Sequence, residues 1–266
     1  MQRRKFLASS LGAAGLAFAP SASLHGAAAT ESARQYYELR RYQLRAGNES
    51  ATTHQFFRDA FLPAVNRLGI RPVGVFSQTV GPRNPVLYVL IPSASPERLV
   101  RLEAHLRSDA QYLKAGRTFL DAPADSPTFE RMESSLMLAF RGQPRLHLPP
   151  MTAAHRPRVF ELRTYESPSE RDHWRKIEMF HSGEFDIFRA AGFWPVFYGD
   201  TLIGQRMPQL TYMLAFGSLS ERNRLWRAFD TAPAWQKLSH EERFAFEPIV
   251  TNVTNLILSP TPYSQI

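Results

Sequence analysis

Tyr37-Glu38-Leu39-Arg40-Arg41-Tyr42 and Phe160-Glu161-Leu162-Arg163-Thr164-Tyr165 are two versions of one alternating phrase, 123 residues apart. Leu68-Gly69-Ile70-Arg71-Pro72 returns as Ala191-Gly192-Phe193-Trp194-Pro195 at the same offset. Leu87-Tyr88-Val89-Leu90 matches Thr211-Tyr212-Met213-Leu214 by letter with one residue of drift, and Ser135-Leu136-Met137-Leu138 matches Asn255-Leu256-Ile257-Leu258 at an offset of 120. Four blocks in a fixed order identify a duplicated domain.

Each copy reads strand, helix, strand, strand, helix, strand. The first strand alternates polar and apolar residues with period two. The first helix spans Glu49 to Leu68 in one copy and Ser169 to Ala191 in the other, and each stops at a glycine, Gly69 or Gly192, where a positive φ is needed. Val73–Val80 and Val86–Ile91 follow as strands around the turn Gly81-Pro82-Arg83-Asn84-Pro85; Val196–Ile203 and Leu210–Phe216 repeat them. Ser95-Pro96-Glu97 opens the second helix with a cap and a proline in its first turn, and Ser220-Glu221 marks its counterpart. Ser135–Phe140 and Thr251–Leu258 supply the last strands. This βαββαβ order is the split-βαβ, ferredoxin-like unit, whose sheet carries helices on one face only. The predicted fold class is therefore α+β: two ferredoxin-like βαββαβ repeats forming one pseudo-dimeric α+β barrel, with the bare sheet faces turned toward each other. The domains fall at 34–141 and 158–261, joined by a proline-rich linker at 142–157.

Met1-Gln2-Arg3-Arg4-Lys5-Phe6-Leu7 leads into an Ala/Leu/Gly stretch and then Gly26-Ala27-Ala28-Ala29, the order of a signal peptide, and resembles the twin-arginine class. Residues 1–29 are thus expected to be a leader, and the mature protein to be exported, periplasmic or extracellular in a bacterium. The formal charge of +8 would drop by three with that leader, leaving a weak footprint for nucleic acid, so no nucleic-acid partner is expected. The apolar run is short for a membrane span, and none is expected in the mature chain. The absence of cysteine removes thiol chemistry and disulfides.

The Tyr-Glu-Leu-Arg-x-Tyr opening, the Gly and Pro before the second strand, Gly81-Pro82, and Ala232-Pro233-Ala234-Trp235 resemble the NIPSNAP family across nearly all of residues 36–260. That resemblance implies a member of the dimeric α+β barrel superfamily, carried here as two tandem domains. The first copy departs from it with Ser108-Asp109-Ala110-Gln111-Tyr112, and the second with Gly204-Gln205 in place of Gly-Pro. The family brings no settled catalytic motif. Its wider superfamily includes cofactor-free monooxygenases, small isomerases and haem enzymes, so haem enters as a cofactor by analogy of fold alone.

Two constellations are candidates for chemistry. Helical periodicity places Trp174, Ile177, Phe180, Phe185, Phe188 and Ala191 on one apolar face, with His181 and Glu184 inside it and Lys176 away from its centre. The same reading of the first copy puts His54 and Arg58 among Phe57, Phe61, Leu62, Val65 and Leu68. A histidine there can move a proton and an arginine can hold an oxyanion, so His181 and Glu184 are the catalytic candidates, with His54 and Arg58 as ligand contacts. The bland alternative is a satisfied core histidine with rim charges. His181 and Glu184 stand close enough to share an ion, but two ligands do not make a metal site, and no metal is predicted. In the second constellation, alternation sets Glu38, Arg40 and Tyr42, and likewise Glu161, Arg163 and Tyr165, on one strand face. If the opposite, apolar face takes the helices, these six point into the barrel as a polar ligand site; a structural ion-pair network is the alternative. Trp194, Tyr198, Trp226 and Trp235 read as core. The functional expectation is a small, partly apolar ligand bound in the barrel. Cofactor-independent oxygenation or isomerisation, and a non-catalytic protein-interaction module or homo-oligomer, are the other classes. If there is one active pocket, it is expected in the second half.

Overall fold

The computed structural model describes residues 33–45, 47–80 and 85–266. The leader with Arg3 and Arg4, and the turn residues 81–84, lie outside the described residues. The first half contains β1 (Tyr36–Gln43), a helix made of α1 (Asn48–Phe56) and α2 (Leu62–Arg67), β2 (Gly74–Val80), β3 (Val86–Ser93), the short helices α3 (Pro96–Val100), α4 (Leu102–Arg107) and α5 (Ala110–Leu120), and β4 (Arg131–Ala139). After α6 (Pro150–Ala153) the second half repeats the order: β5 (Val159–Glu166), α7 (Glu170–Met179) and α8 (Phe185–Ala191), β6 (Trp194–Ile203), β7 (Gln209–Phe216), α9 (Leu219–Asp230), α10 (Pro233–Ser239), α11 (Phe246–Ile249) and β8 (Asn252–Pro260).

The eight strands close in the order β1-β3-β2-β8-β5-β7-β6-β4, all neighbours antiparallel. Each half contributes a four-stranded sheet, and the second strand of each half pairs with the fourth strand of the other, β2 with β8 and β6 with β4. Closure removes the free sheet edges that a lone half would expose. Residues of the linker are tied to both halves: Gln35 N donates to Pro144 O, and His147 N to Val196 O. Beyond β8, Thr261 and Gln265 donate their backbone N–H groups to Val75 and Val73, and Ile266 is fully buried. Among the described residues no helix is long and apolar enough to cross a membrane.

Local signals account for the helix ends. Ser95, Ser169 and Ser218 cap α3, α7 and α9 by accepting a backbone N–H from within the first turn. Gly69 and Gly192 follow the first helix of each copy at φ 73° and 87°, where a side chain would be strained. A π turn interrupts each of those helices, at Phe57–Phe61 and at Phe180–Glu184, the same place in both copies. Each such turn inserts extra backbone and shifts the phase of the face that follows.

The strand register corrects two of the letter matches. Leu39 pairs with Leu90 and Leu162 with Met213, so β3 and β7 keep the 123-residue offset without drift. Tyr88 is therefore equivalent to Thr211 and not to Tyr212. Likewise Leu39 opposes Ser135 while Leu162 opposes Leu256, which makes the last offset 121. A one-residue slip exchanges the two faces of a strand, so these corrections decide which side chains enter the barrel.

Candidate functional site

The face of β1 and β5 that enters the barrel is the one bearing Tyr37, Leu39 and Arg41, and Phe160, Leu162 and Thr164. Tyr37, Met137, Phe160, Phe197, Leu258 and Ile266 belong to one buried cluster drawn from both halves, which fills the far part of the barrel. Next to it the lining changes to Leu39, Leu162, Leu256 and Ser135, and beyond these to polar side chains around a cavity of about 530 Å³. That volume is in the range of small-molecule sites.

The polar layer is built from the register. Arg41 stands directly opposite Tyr88 on β3 and Glu133 on β4, giving a row Tyr88–Arg41–Glu133 across three strands. In the second half Thr164 stands opposite Thr211 on β7 and Thr254 on β8. The same three positions thus carry an aromatic hydroxyl and two opposite charges on one wall and three threonines on the other. Gln78, Gln205, Arg206 and Gln209 complete the lining. Arg41 Nη1 lies 3.5 Å from Glu133 Oε2, and Nη2 donates to Gln43 Oε1 at 3.1 Å. Burial pushes the Tyr88 hydroxyl up from its ordinary range and the neighbouring Arg41 acts against that, so Tyr88 faces the cavity as a neutral hydroxyl. Gln209 is 6% exposed, and its Oε1 has no hydrogen-bond partner. A buried amide oxygen left without a donor costs about 1–3 kcal/mol, and this one lines the cavity.

The six strand residues expected inside the barrel face the helices instead. Arg40 donates to Glu38 at 2.7 and 3.1 Å and to Glu103 on α4 at 2.7 Å, and lies over the Phe61 ring. Tyr42 packs edge-on against Phe57 and Phe129. Glu161 accepts from Arg163, Arg222 and Trp226, Arg163 lies 4.4 Å over the Trp226 ring, and Tyr165 shares a 2.8 Å hydrogen bond with Tyr212. The physical reason is that the charges pair with one another and with helix residues, Arg40 with Glu103, Glu161 with Arg222 and Trp226, and Arg163 with the Trp226 ring, which permits burial there. The far part of the barrel, by contrast, takes the large rings of the opposite face. These residues form a structural network in each half.

The helix candidates separate. His181 is exposed; its Nδ1–H donates to Ile177 O at 2.8 Å and Nε2 accepts from Gly142 N at 3.2 Å, which fastens the linker to α7. Glu184 is buried and pairs with Lys176 at 2.6 Å, also fully buried. The π turn between them, with Gly183 at φ 158°, breaks the simple helical phase, so His181 and Glu184 do not share a site. The expectation that Lys176 lies off the packed face is overturned too, and Trp174 is 62% exposed. The buried face runs through His173, Lys176, Met179 and Phe180, and its two polar members hid it from a hydropathy reading. Lys176 Nζ sits near the rings of Phe180, Phe246, Tyr165 and Trp235, at 4.4 to 5.8 Å. Burial pulls the Lys176 amine down and the Glu184 carboxyl up, each opposed by the other's charge. In the first copy Arg58 is exposed and paired with Asp59, while His54 Nδ1 lies 2.7 Å from the Tyr263 hydroxyl, so these two do not form a pocket either. Burial lowers the His54 pKa from its ordinary value.

Sequence reasoning missed Arg41, Tyr88, Glu133 and the three threonines. Period-two parity was the available signal, since Arg41 shares the face of Tyr37 and Leu39. Glu133 lay in a polar stretch before the expected start of the strand, which begins at Arg131. Among the described residues no histidine lines the cavity; His54, His173 and His181 stand on the outer helices. The lining does not fit a haem held through histidine. Among the described residues no three histidine, aspartate or glutamate side chains gather as a metal site.

The NIPSNAP family model matches residues 37–141 and 160–265. No curated protein matches the chain in sequence. A solved structure from Fusobacterium nucleatum, provisionally described as a monooxygenase, is similar with a TM-score of 0.54 and 6% identity over 86% of this chain and 93% of that one. One provisionally described as a chlorite dismutase gives 0.52 and 11%, covering 87% and 96%. An uncharacterised NIPSNAP-like domain protein from Burkholderia xenovorans is 22% identical over 41% of this chain and 90% of its own, with a TM-score of 0.37. The first two likenesses show the fold, an α+β barrel of eight antiparallel strands made from two halves.

Proposed function

Because the chain belongs to the NIPSNAP family and its two tandem copies form the opposite walls of one cavity, we propose that it binds a small, partly apolar molecule inside the barrel. The observation that carries this reading is the layering of the lining. Leu39, Leu162 and Leu256 offer a dry floor, and Tyr88, Arg41, Glu133 and the three threonines offer polar groups one layer nearer the opening. Apolar surface with a few placed polar groups is the usual composition of a ligand pocket. The unpartnered Gln209 Oε1 adds support, because a ligand donor would satisfy it.

The reading is tested by incubating the purified chain with an extract of small apolar metabolites and recording native mass spectra after buffer exchange. The parent chain should retain one or more small molecules. Ser135→Trp and Leu162→Trp, which fill the floor, should lose them while keeping the far-ultraviolet circular dichroism of the parent. Retention by neither the parent nor the variants, or equal retention by all three, contradicts binding in the barrel.

A further inference from the structure

We infer that the molecule bound in the barrel carries an oxyanion, a carboxylate in the simplest case, held by Arg41 and the Tyr88 hydroxyl. The inference rests on the binding reading above and specifies its ligand class. Two adjacent arginines on β1 supply the comparison. Arg40 points to the helices and has its guanidinium filled by three carboxylate contacts of 2.7 to 3.1 Å. Arg41 points to the cavity; its one carboxylate contact, to Glu133, is long at 3.5 Å, and its other acceptors, Gln43 Oε1 at 3.1 Å and the Tyr88 hydroxyl, are neutral. Charge-assisted N–H···O contacts close to about 2.7–2.9 Å when the geometry is free to optimise, so Arg41 keeps capacity for a better acceptor.

The surroundings favour an acceptor of negative charge. The wall facing Arg41 is Thr164, Thr211 and Thr254, which are neutral and hydrogen-bonding. Of the charged groups in the lining, Arg41 and Arg206 are positive and Glu133 alone is negative. Arg206 is already paired with Glu166 at 3.0 Å near the opening, which leaves Arg41 as the inner cation. Tyr88 is directly opposite Arg41 in the sheet and remains a hydroxyl, able to donate to the same anion. The leucine floor lies one inward-facing position deeper on β1, β5 and β8, so a ligand with its apolar body toward Leu39, Leu162 and Leu256 would place a terminal carboxylate at the Arg41 row. At that row a cation would meet Arg41 as well as Glu133, and a neutral head group would leave Arg41 without a new acceptor of negative charge.

The test uses three probes with one apolar body: octanoate, octan-1-ol and octylamine, titrated calorimetrically into the whole chain at neutral pH. Octanoate should bind at least roughly tenfold more tightly than either of the others, the scale of one charge-assisted contact. Arg41→Gln should remove that advantage and leave octan-1-ol binding within about twofold, a control that the cavity persists. Arg58→Gln, an exposed arginine on the outer helix, should leave octanoate binding unchanged. Equal affinity for all three probes, or octanoate binding unaffected by Arg41→Gln, overturns the oxyanion while the binding reading stands. Failure of all three probes to bind overturns the oxyanion together with the reading beneath it.

Discussion

Arg40 and Arg41 differ by one position and stand in different environments, which shows what a residue's charge alone does not reveal. Both are arginines in a strand of alternating character, and only the direction of the pleat separates a structural guanidinium from one that faces a cavity. Glu161 makes the matching case for a carboxylate. Burial alone would raise its pKa, but hydrogen bonds from Arg222 and Trp226 and the charge of Arg163 outweigh burial and hold it below the ordinary 4.5. A carboxyl depressed in the folded state stabilises the protein fully above its unfolded pKa, and that contribution is lost as pH falls through the folded value. Glu161→Gln should therefore be less stable than the parent at pH 7, and the gap should narrow as pH is lowered below about 4.5 in equilibrium denaturation. A gap that stays constant into acid would mean that the Glu161 charge is not what the network stabilises.

At the scale of elements, the helix formed by α7, the π turn and α8 was legible as a helix but not as to which face it buries. Its packed side carries Lys176 and Glu184 beneath Phe180, Trp235 and Phe246; the hydropathy pattern places Glu184 on that face but sets Lys176 away from it. The first copy has Thr53 and Phe61 at the corresponding positions, with Thr53 donating to Thr128 O, so the architecture tolerates an uncharged pair there. Removing one partner strands a buried charge, which costs about 3–5 kcal/mol, whereas replacing both with apolar residues is often neutral or stabilising. Lys176→Met and Glu184→Leu should each lower the unfolding free energy by that order, and the double variant should return close to the parent in chemical denaturation. A double variant as unstable as the two losses combined would show that other groups depend on the pair. The strands tell a similar story. Their existence was readable from alternation, but both faces of β1 carry large apolar side chains, and nothing local says which face meets helices.

For the whole molecule, duplication made the architecture legible: repeated blocks at a nearly constant offset imply two copies, and bare sheet faces imply that the copies close on each other. The site was less legible because it is shared. Tyr88, Arg41 and Glu133 come from one copy and Thr164, Thr211 and Thr254 from the other, so neither half contains it and the expectation of a pocket in the second half does not describe it. Its residues meet only through strand register, and the letter matches that best advertised the repeat, such as Tyr88 with Tyr212, were one residue out of register. The barrel interior is proposed to hold the ligand. A crystal of the chain soaked with 8-bromooctanoate tests it most directly, through the anomalous signal of bromine. A bromine peak among Leu39, Leu162 and Leu256, with the carboxylate density at Arg41 and Tyr88, is the expected result; bromine confined to the outer helix faces, with an empty barrel, would contradict binding in the interior.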